Sequence, residues 1–133
     1  MISTTARYAL NIVGYLVSHR GTRVRGEQIA RDTGIPANYL SKILNQLRKQ
    51  GIVDAEKGWG GGFQVRKEAL RRPIREIVLV IDGSRSEELR RGCLYGLRGC
   101  TPENPCPLHP YWERVKEAEN DMLMNKKIED LAE

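Results

Sequence analysis

Three cysteines, Cys93, Cys100 and Cys106, fall within fourteen residues, and His109 follows the last of them. No other cysteine occurs in the 133-residue chain. Thiolates are soft ligands that favour zinc and iron–sulfur centres, and three in one short stretch can converge on a point. Gly92, Gly96, Gly99, Pro102, Pro105 and Pro107 punctuate that stretch, so a loop must bring the thiolates together. An odd count leaves no complete set of intrachain disulfides. Iron–sulfur clusters normally take four protein ligands, and the C-x6-C-x5-C spacing therefore needs a fourth. His109, three positions after Cys106, lies within reach. It binds metal only when neutral. A set of three cysteines and one histidine also suits tetrahedral zinc, but the C-x2-C pairs of common zinc modules are missing. The other histidine, His19, stands beside Arg20 at a helix end and reads as a surface residue.

The segment that must position this loop is basic. Residues 1–75 carry 14 Lys and Arg against 5 Asp and Glu, whereas residues 76–133 carry 8 against 12, within a net charge of +5. A basic half joined to an acidic half suggests that the first half meets a polyanion. A hydrophobic content of 40% with 29% charged residues reads as a soluble globular chain with one core of ordinary size. No apolar run approaches the roughly 18 residues of a membrane span, and no secretory signal is visible. A cytoplasmic setting is expected, where thiols stay reduced and available to metal. The chain offers no catalytic dyad, no nucleotide fold and no second cluster motif. An enzyme or electron carrier is therefore disfavoured.

Periodicity places the elements. Ser3, Thr4 and Thr5 offer capping hydroxyls to a helix over residues 4–19, with Ala9, Ile12, Val13 and Leu16 on one face. A short helix from Gly26 to Thr33 buries Ile29 and Ala30, and Gly34 supplies a left-handed end. Pro36 suits the first turn of the next helix, which runs to about Gln50 with Leu40, Ile43, Leu44 and Leu47 facing inward. Helix, glycine turn, helix is the helix-turn-helix layout. Two short strands, 52–56 and 63–66, then flank the glycine-rich turn Lys57–Gly62, as a wing would. A phosphate-binding nucleotide loop would need a following Lys-Ser or Lys-Thr and a helix, and has neither. Pro73 opens a helical stretch to about Asp82, with Ile74, Ile77, Val78 and Ile81 on one face. From Leu108 onward, Leu108, Val115 and Met122 repeat every seven residues with Tyr111 and Ala118 between them, a two-heptad seam suited to pairing with a second copy. The expected fold is mainly α with a small β-hairpin wing. It comprises a winged helix-turn-helix domain over 1–75, a linking helix and cysteine loop over 76–107, and a long dimerisation helix over 108–133.

Four stretches together resemble the IscR/NsrR-type (Rrf-type) winged-helix iron–sulfur transcription regulators, and the resemblance covers nearly the whole chain. Ser3-Thr4-Thr5-Ala6-Arg7-Tyr8-Ala9-Leu10 is similar to that family's first helix, and residues 35–48 to its recognition helix. Lys57-Gly58-Trp59-Gly60-Gly61-Gly62-Phe63 resembles its wing, and the three cysteines followed by Leu108-His109-Pro110-Tyr111-Trp112 resemble its cluster loop. The resemblance implies a homodimeric regulator of double-stranded operator DNA, with no membrane partner and with iron–sulfur assembly proteins as suppliers of its cofactor. Its signal would be redox state, nitric oxide or iron–sulfur status. In the IscR branch a histidine at this place completes a 2Fe–2S site, which points to Cys93, Cys100, Cys106 and His109. In the NsrR branch the fourth ligand is a carboxylate near the position of Tyr8, where this chain has none. A 4Fe–4S cluster stays open, as do zinc-bound and apo forms. For DNA, Asn38, Ser41 and Lys42 are expected nearest base edges and Tyr39 near phosphate or base. Ser3, Thr4 and Thr5 are expected at a phosphate, Arg23, Arg25 and Arg48 on the backbone, and Lys57, Gly60 and Gly61 in the adjoining minor groove. The family's wing often has Arg and Pro where this chain has Lys57 and Trp59. Some members have Glu-Gln or Glu-Lys in place of Ser41-Lys42. The operator sequence therefore does not carry over.

Overall fold

A computed structural model describes residues 2–83, 92 and 101–132; Cys93 and Cys100 lie outside the described residues. Five α-helices and one hairpin make up that part: α1 (Thr4–Ser18), α2 (Gly26–Thr33), α3 (Ala37–Lys49), β1 (Val53–Glu56), β2 (Gly62–Val65), α4 (Arg75–Asp82) and α5 (His109–Asn125). The core is built around α1, whose Ala6, Ala9, Ile12, Val13, Leu16 and Val17 are all buried at helical spacing. Ile29 of α2, Leu40, Ile43, Leu44 and Leu47 of α3, and Ile77 and Val78 of α4 close around it. Ala30 is only half-buried where α2 approaches its neighbours.

Gly34 ends α2 in the left-handed region at φ 74, and its N–H donates to the Ala30 carbonyl. Pro36 stands at the cap position before α3 rather than inside its first turn. The hairpin is antiparallel, with Val53 opposite Val65 and Glu56 opposite Gly62. Val53 and Val65 both face the core. Val24, in the α1–α2 connection, pairs with Phe63 through two 2.8 Å backbone bonds, so the wing's base is bonded to the helix-turn-helix unit.

The last helix differs from the expected run to residue 133. It stops at Asn125, and the chain turns back. The Lys126 carbonyl accepts from Ile74 N–H, while Ile128 and Glu129 N–H groups donate to the Arg72 and Leu70 carbonyls, each at 2.9 Å. A 3-10 turn over Ile128–Leu131 then lies against α1. Gly14 permits this approach, because a Cβ there would meet the Leu131 carbonyl oxygen at 3.0 Å. Leu123 and Ile128 are fully buried. Residues 123–131 thus complete the core of the helix-turn-helix unit. The cause is a gain in apolar burial for Ile128 that no local signal announces. No helix among the described residues is long and apolar enough to cross a membrane.

Candidate nucleic-acid interface and candidate metal centre

The outward face of α3 carries Asn38, Tyr39, Ser41, Lys42, Asn45 and Arg48, all exposed, while its apolar residues point inward. Arg48 donates to the Asn45 side-chain oxygen at 2.9 Å, which lays the guanidinium along the helix. Tyr39 leans on Tyr8 of α1, with ring centroids 6.2 Å apart, yet stays 48% exposed. The face therefore presents amide, hydroxyl and cationic groups together with one ring, the mix that reads base edges and phosphates. Lys57 and Gly60 lie exposed on the wing.

Several residues expected at DNA are engaged inside the chain. The Ser3 hydroxyl accepts from Ala6 N–H at 3.0 Å, which caps α1, and it donates to the Asp82 carboxylate. Ser3 N–H also donates to Asp82, at 3.1 Å. A carboxylate at the positive end of a helix is favourable, so the place foreseen for a phosphate is filled by Asp82. Thr4 is exposed and Thr5 half-buried. Arg23, with a side chain only 15% exposed, pairs with Asp54 at 2.8 Å and Glu56 at 3.4 Å, so it braces the wing instead of lying open to the DNA backbone. The Arg23 guanidinium holds the Asp54 carboxyl below its ordinary range. Arg25 is exposed, and its guanidinium donates to the Gly58 carbonyl at 2.9 Å. Gly61 is buried, and a Cβ there would clash with the Glu56 carbonyl oxygen. Its lack of a side chain lets the turn close. Gly62 has φ 134, and a Cβ there would meet the Val24 carbonyl oxygen at 2.6 Å.

Of the four candidate metal ligands, Cys106 and His109 are described. The Cys106 carbonyl accepts from His109 N–H at 3.0 Å, and His109 is the first residue of α5. This one turn brings both side chains to the start of the helix, each half-buried. One helical turn on, Glu113 lies 3.9 Å from His109 Nε2 and 2.7 Å from the Lys116 ammonium. Lys116, by hydrogen bonding, holds the Glu113 carboxyl below its ordinary range. The buried Trp112 donates its indole N–H to the Gly92 carbonyl at 2.8 Å. Gly92 immediately precedes Cys93 in the chain. Among the described residues no three His, Cys, Asp or Glu side chains converge as a metal site. The Asp82 cap and the Trp112 tether escaped the sequence reading.

The proposed dimer seam is open to solvent. Tyr111, Val115, Ala118 and Met122 are exposed along one side of α5, and Leu108 is half-buried at its start. Trp112 and Leu123 occupy the other side, buried in the chain.

A helix-turn-helix with a braced hairpin wing directly after its second helix defines a winged-helix DNA-binding protein. Residues 2–133 match the Rrf2 family, described as "Iron-dependent Transcriptional regulator", and the chain belongs to that family. It is 34% identical over 133 residues to a protein of Aquifex aeolicus (strain VF5) named among the HTH-type transcriptional regulators, covering 98% of this chain and 90% of the relative. It is 26% identical over 131 residues to the HTH-type transcriptional regulator IscR of Yersinia pseudotuberculosis serotype O:1b (strain IP 31758), covering 98% of this chain and 77% of that one. Among solved structures it resembles CymR, the global cysteine regulator of B. subtilis, with a TM-score of 0.78 and 26% identity over 99% of this chain and 95% of that one. The chain is a DNA-binding transcriptional regulator and not an enzyme.

Proposed function

We propose that this regulator acts as a cytoplasmic homodimer whose operator binding is set by an iron–sulfur cluster held by Cys93, Cys100, Cys106 and His109. The observation that carries the reading is the backbone turn in which His109 N–H meets the Cys106 carbonyl at 3.0 Å, which keeps the two residues within one turn at the start of α5. The tether from Trp112 to Gly92 supports it, since it ties the chain just before Cys93 to the same helix. Three thiolates and one imidazole match the donor set of a 2Fe–2S centre, and a bound cluster would supply a redox-labile crosslink between the two segments. The family description and the IscR relative point the same way. Within the dimer, α3 of each copy enters a major groove, with Asn38, Ser41 and Lys42 at base edges and Arg48 at the backbone. Half-sites roughly 34 Å apart then suit one arrangement of the two heads.

A second reading has its own support. The likeness to a global cysteine regulator favours a centre without a cluster, either bare thiols or zinc. Anaerobic purification separates the two. The first reading expects a brown protein with iron and sulfide in a near-equal count, lost in Cys106→Ser and weakened in His109→Ala. A colourless protein with one tight zinc, or with no metal and DNA binding that responds to thiol oxidation, overturns it.

A further inference from the structure

Large apolar side chains are exposed in few places among the described residues. Tyr111, Val115 and Met122 form the α5 seam with Met124 beside it, and Tyr39 leans on Tyr8. Trp59 stands apart at the wing tip with a relative exposure of 103%, as open as in an extended chain. We propose that the Trp59 indole is itself a DNA contact, an apolar wedge that enters the minor groove beside the site read by α3.

The proposal rests on the reading of the wing as DNA-facing and deepens it. Nothing among the described residues screens the ring: Gly58 and Gly60 on either side leave open space around them. The tip that carries it is braced. Gly61 N–H donates to the Gly58 carbonyl at 3.0 Å, Arg25 donates to the same carbonyl at 2.9 Å, and the Val24–Phe63 pairing fixes the hairpin base. A ring presented on a fixed platform loses little freedom on docking. Charge selects the occupant. The tip sequence Lys57-Gly58-Trp59-Gly60-Gly61-Gly62 holds a cation and no acid, with Arg25 beside it. A protein partner would require a contiguous apolar patch, and Trp59 has no apolar neighbour at the tip. A planar indole fits edge-on into a minor groove about 6 Å wide, and its N–H can meet the acceptors on the groove floor. Apolar wedges of this kind act best at flexible pyrimidine–purine steps. Trp59 would then read deformability at a flank that α3 does not touch.

The test uses the full-length protein and a duplex that wild type selects from a randomised pool. Trp59→Ala is expected to bind that duplex about tenfold more weakly, with an unchanged melting temperature and an unchanged salt dependence. Lys57→Ala, by contrast, should lower the salt slope by about 1. Trp59→Phe should retain most of the affinity. Reselection with Trp59→Ala should lose the preference at the flanking step. Trp59 and Trp112 are the two tryptophans of the chain, so DNA should quench wild-type emission and leave that of Trp59→Phe nearly unchanged. Equal affinity of Trp59→Ala and wild type, a lowered melting temperature, or the same emission change in Trp59→Phe overturns the proposal while leaving the DNA reading intact. Failure of wild type to select any duplex overturns the DNA reading first.

Discussion

Arg23 is one of the cations that make the first half of the chain basic, yet its charge is met by Asp54 and Glu56 within the fold. Charge counting could not find this pairing, because Asp54 lies 31 residues away and meets Arg23 only once the wing has folded. The α3 residues were legible for the opposite reason. A helix of known phase fixes which of its side chains face outward, so Asn38, Ser41 and Lys42 follow from Leu40, Ile43 and Leu44. Lys42→Ala is therefore expected to change the preferred base at its position in a selected operator. Arg48→Ala should weaken binding to all duplexes alike and lower the salt slope by about 1. Selection on randomised DNA, with titrations at several salt concentrations, distinguishes the two roles. Asp54 gives a pH prediction. Its ordinary value is 3.8, and in the folded chain Arg23 holds it lower. The stability from this pairing is then fully present above about pH 3.8 and is lost as the pH falls through the lower folded value. Thermal melts recorded down to strongly acid pH should fall more steeply for wild type than for Asp54→Asn.

Elements with a regular period were readable from the chain, and those fixed by distant contacts were not. The buried faces of α1, α3 and α4 follow the 3.6-residue period, and the hairpin follows from alternation around a glycine run. The end of α5 had no such mark. Neither Gly nor Pro stands near Asn125, and Lys126-Lys127 reads as a continuing solvated face. The break comes from Ile128 entering the core and from backbone bonds to Leu70 and Arg72. The wing is tuned at Gly62, where φ 134 and the 2.6 Å approach to the Val24 oxygen leave no room for a side chain. Gly62→Ala should cost ~2 kcal/mol or more of stability, seen as a lower melting temperature, with a matching loss of DNA affinity. Gly58→Ala, in open space, should cost only about 1 kcal/mol. Equal losses in the two variants would show that the approach to Val24 does not hold the wing in place.

At the scale of the whole molecule, the charge difference between residues 1–75 and 76–133 was visible in the sequence. The return of the last residues to α1 was not, because it joins the two ends of the chain. Pairing of two copies belongs to this scale. Val115→Asp places a charge in the exposed seam of α5. It should leave the melting temperature of the monomer fold nearly unchanged, since surface substitutions usually stay within about 0.5 kcal/mol. Sedimentation should show single copies, and affinity for a duplex with two half-sites should fall more than for one. A dimer that survives the substitution would place the contact elsewhere. The course of α5 also constrains how any signal could travel. Near its start the helix is pinned through Trp112 to Gly92, and at its far end through Leu123 and Ile128 to α1. Its far end is thus built into the core, while its start is bonded to the residue that precedes Cys93. A push at His109 acts on a helix whose far end is fixed in the core. It must bend it, twist it about its long axis, or load that end, where Leu131 presses on Gly14 in the middle of α1.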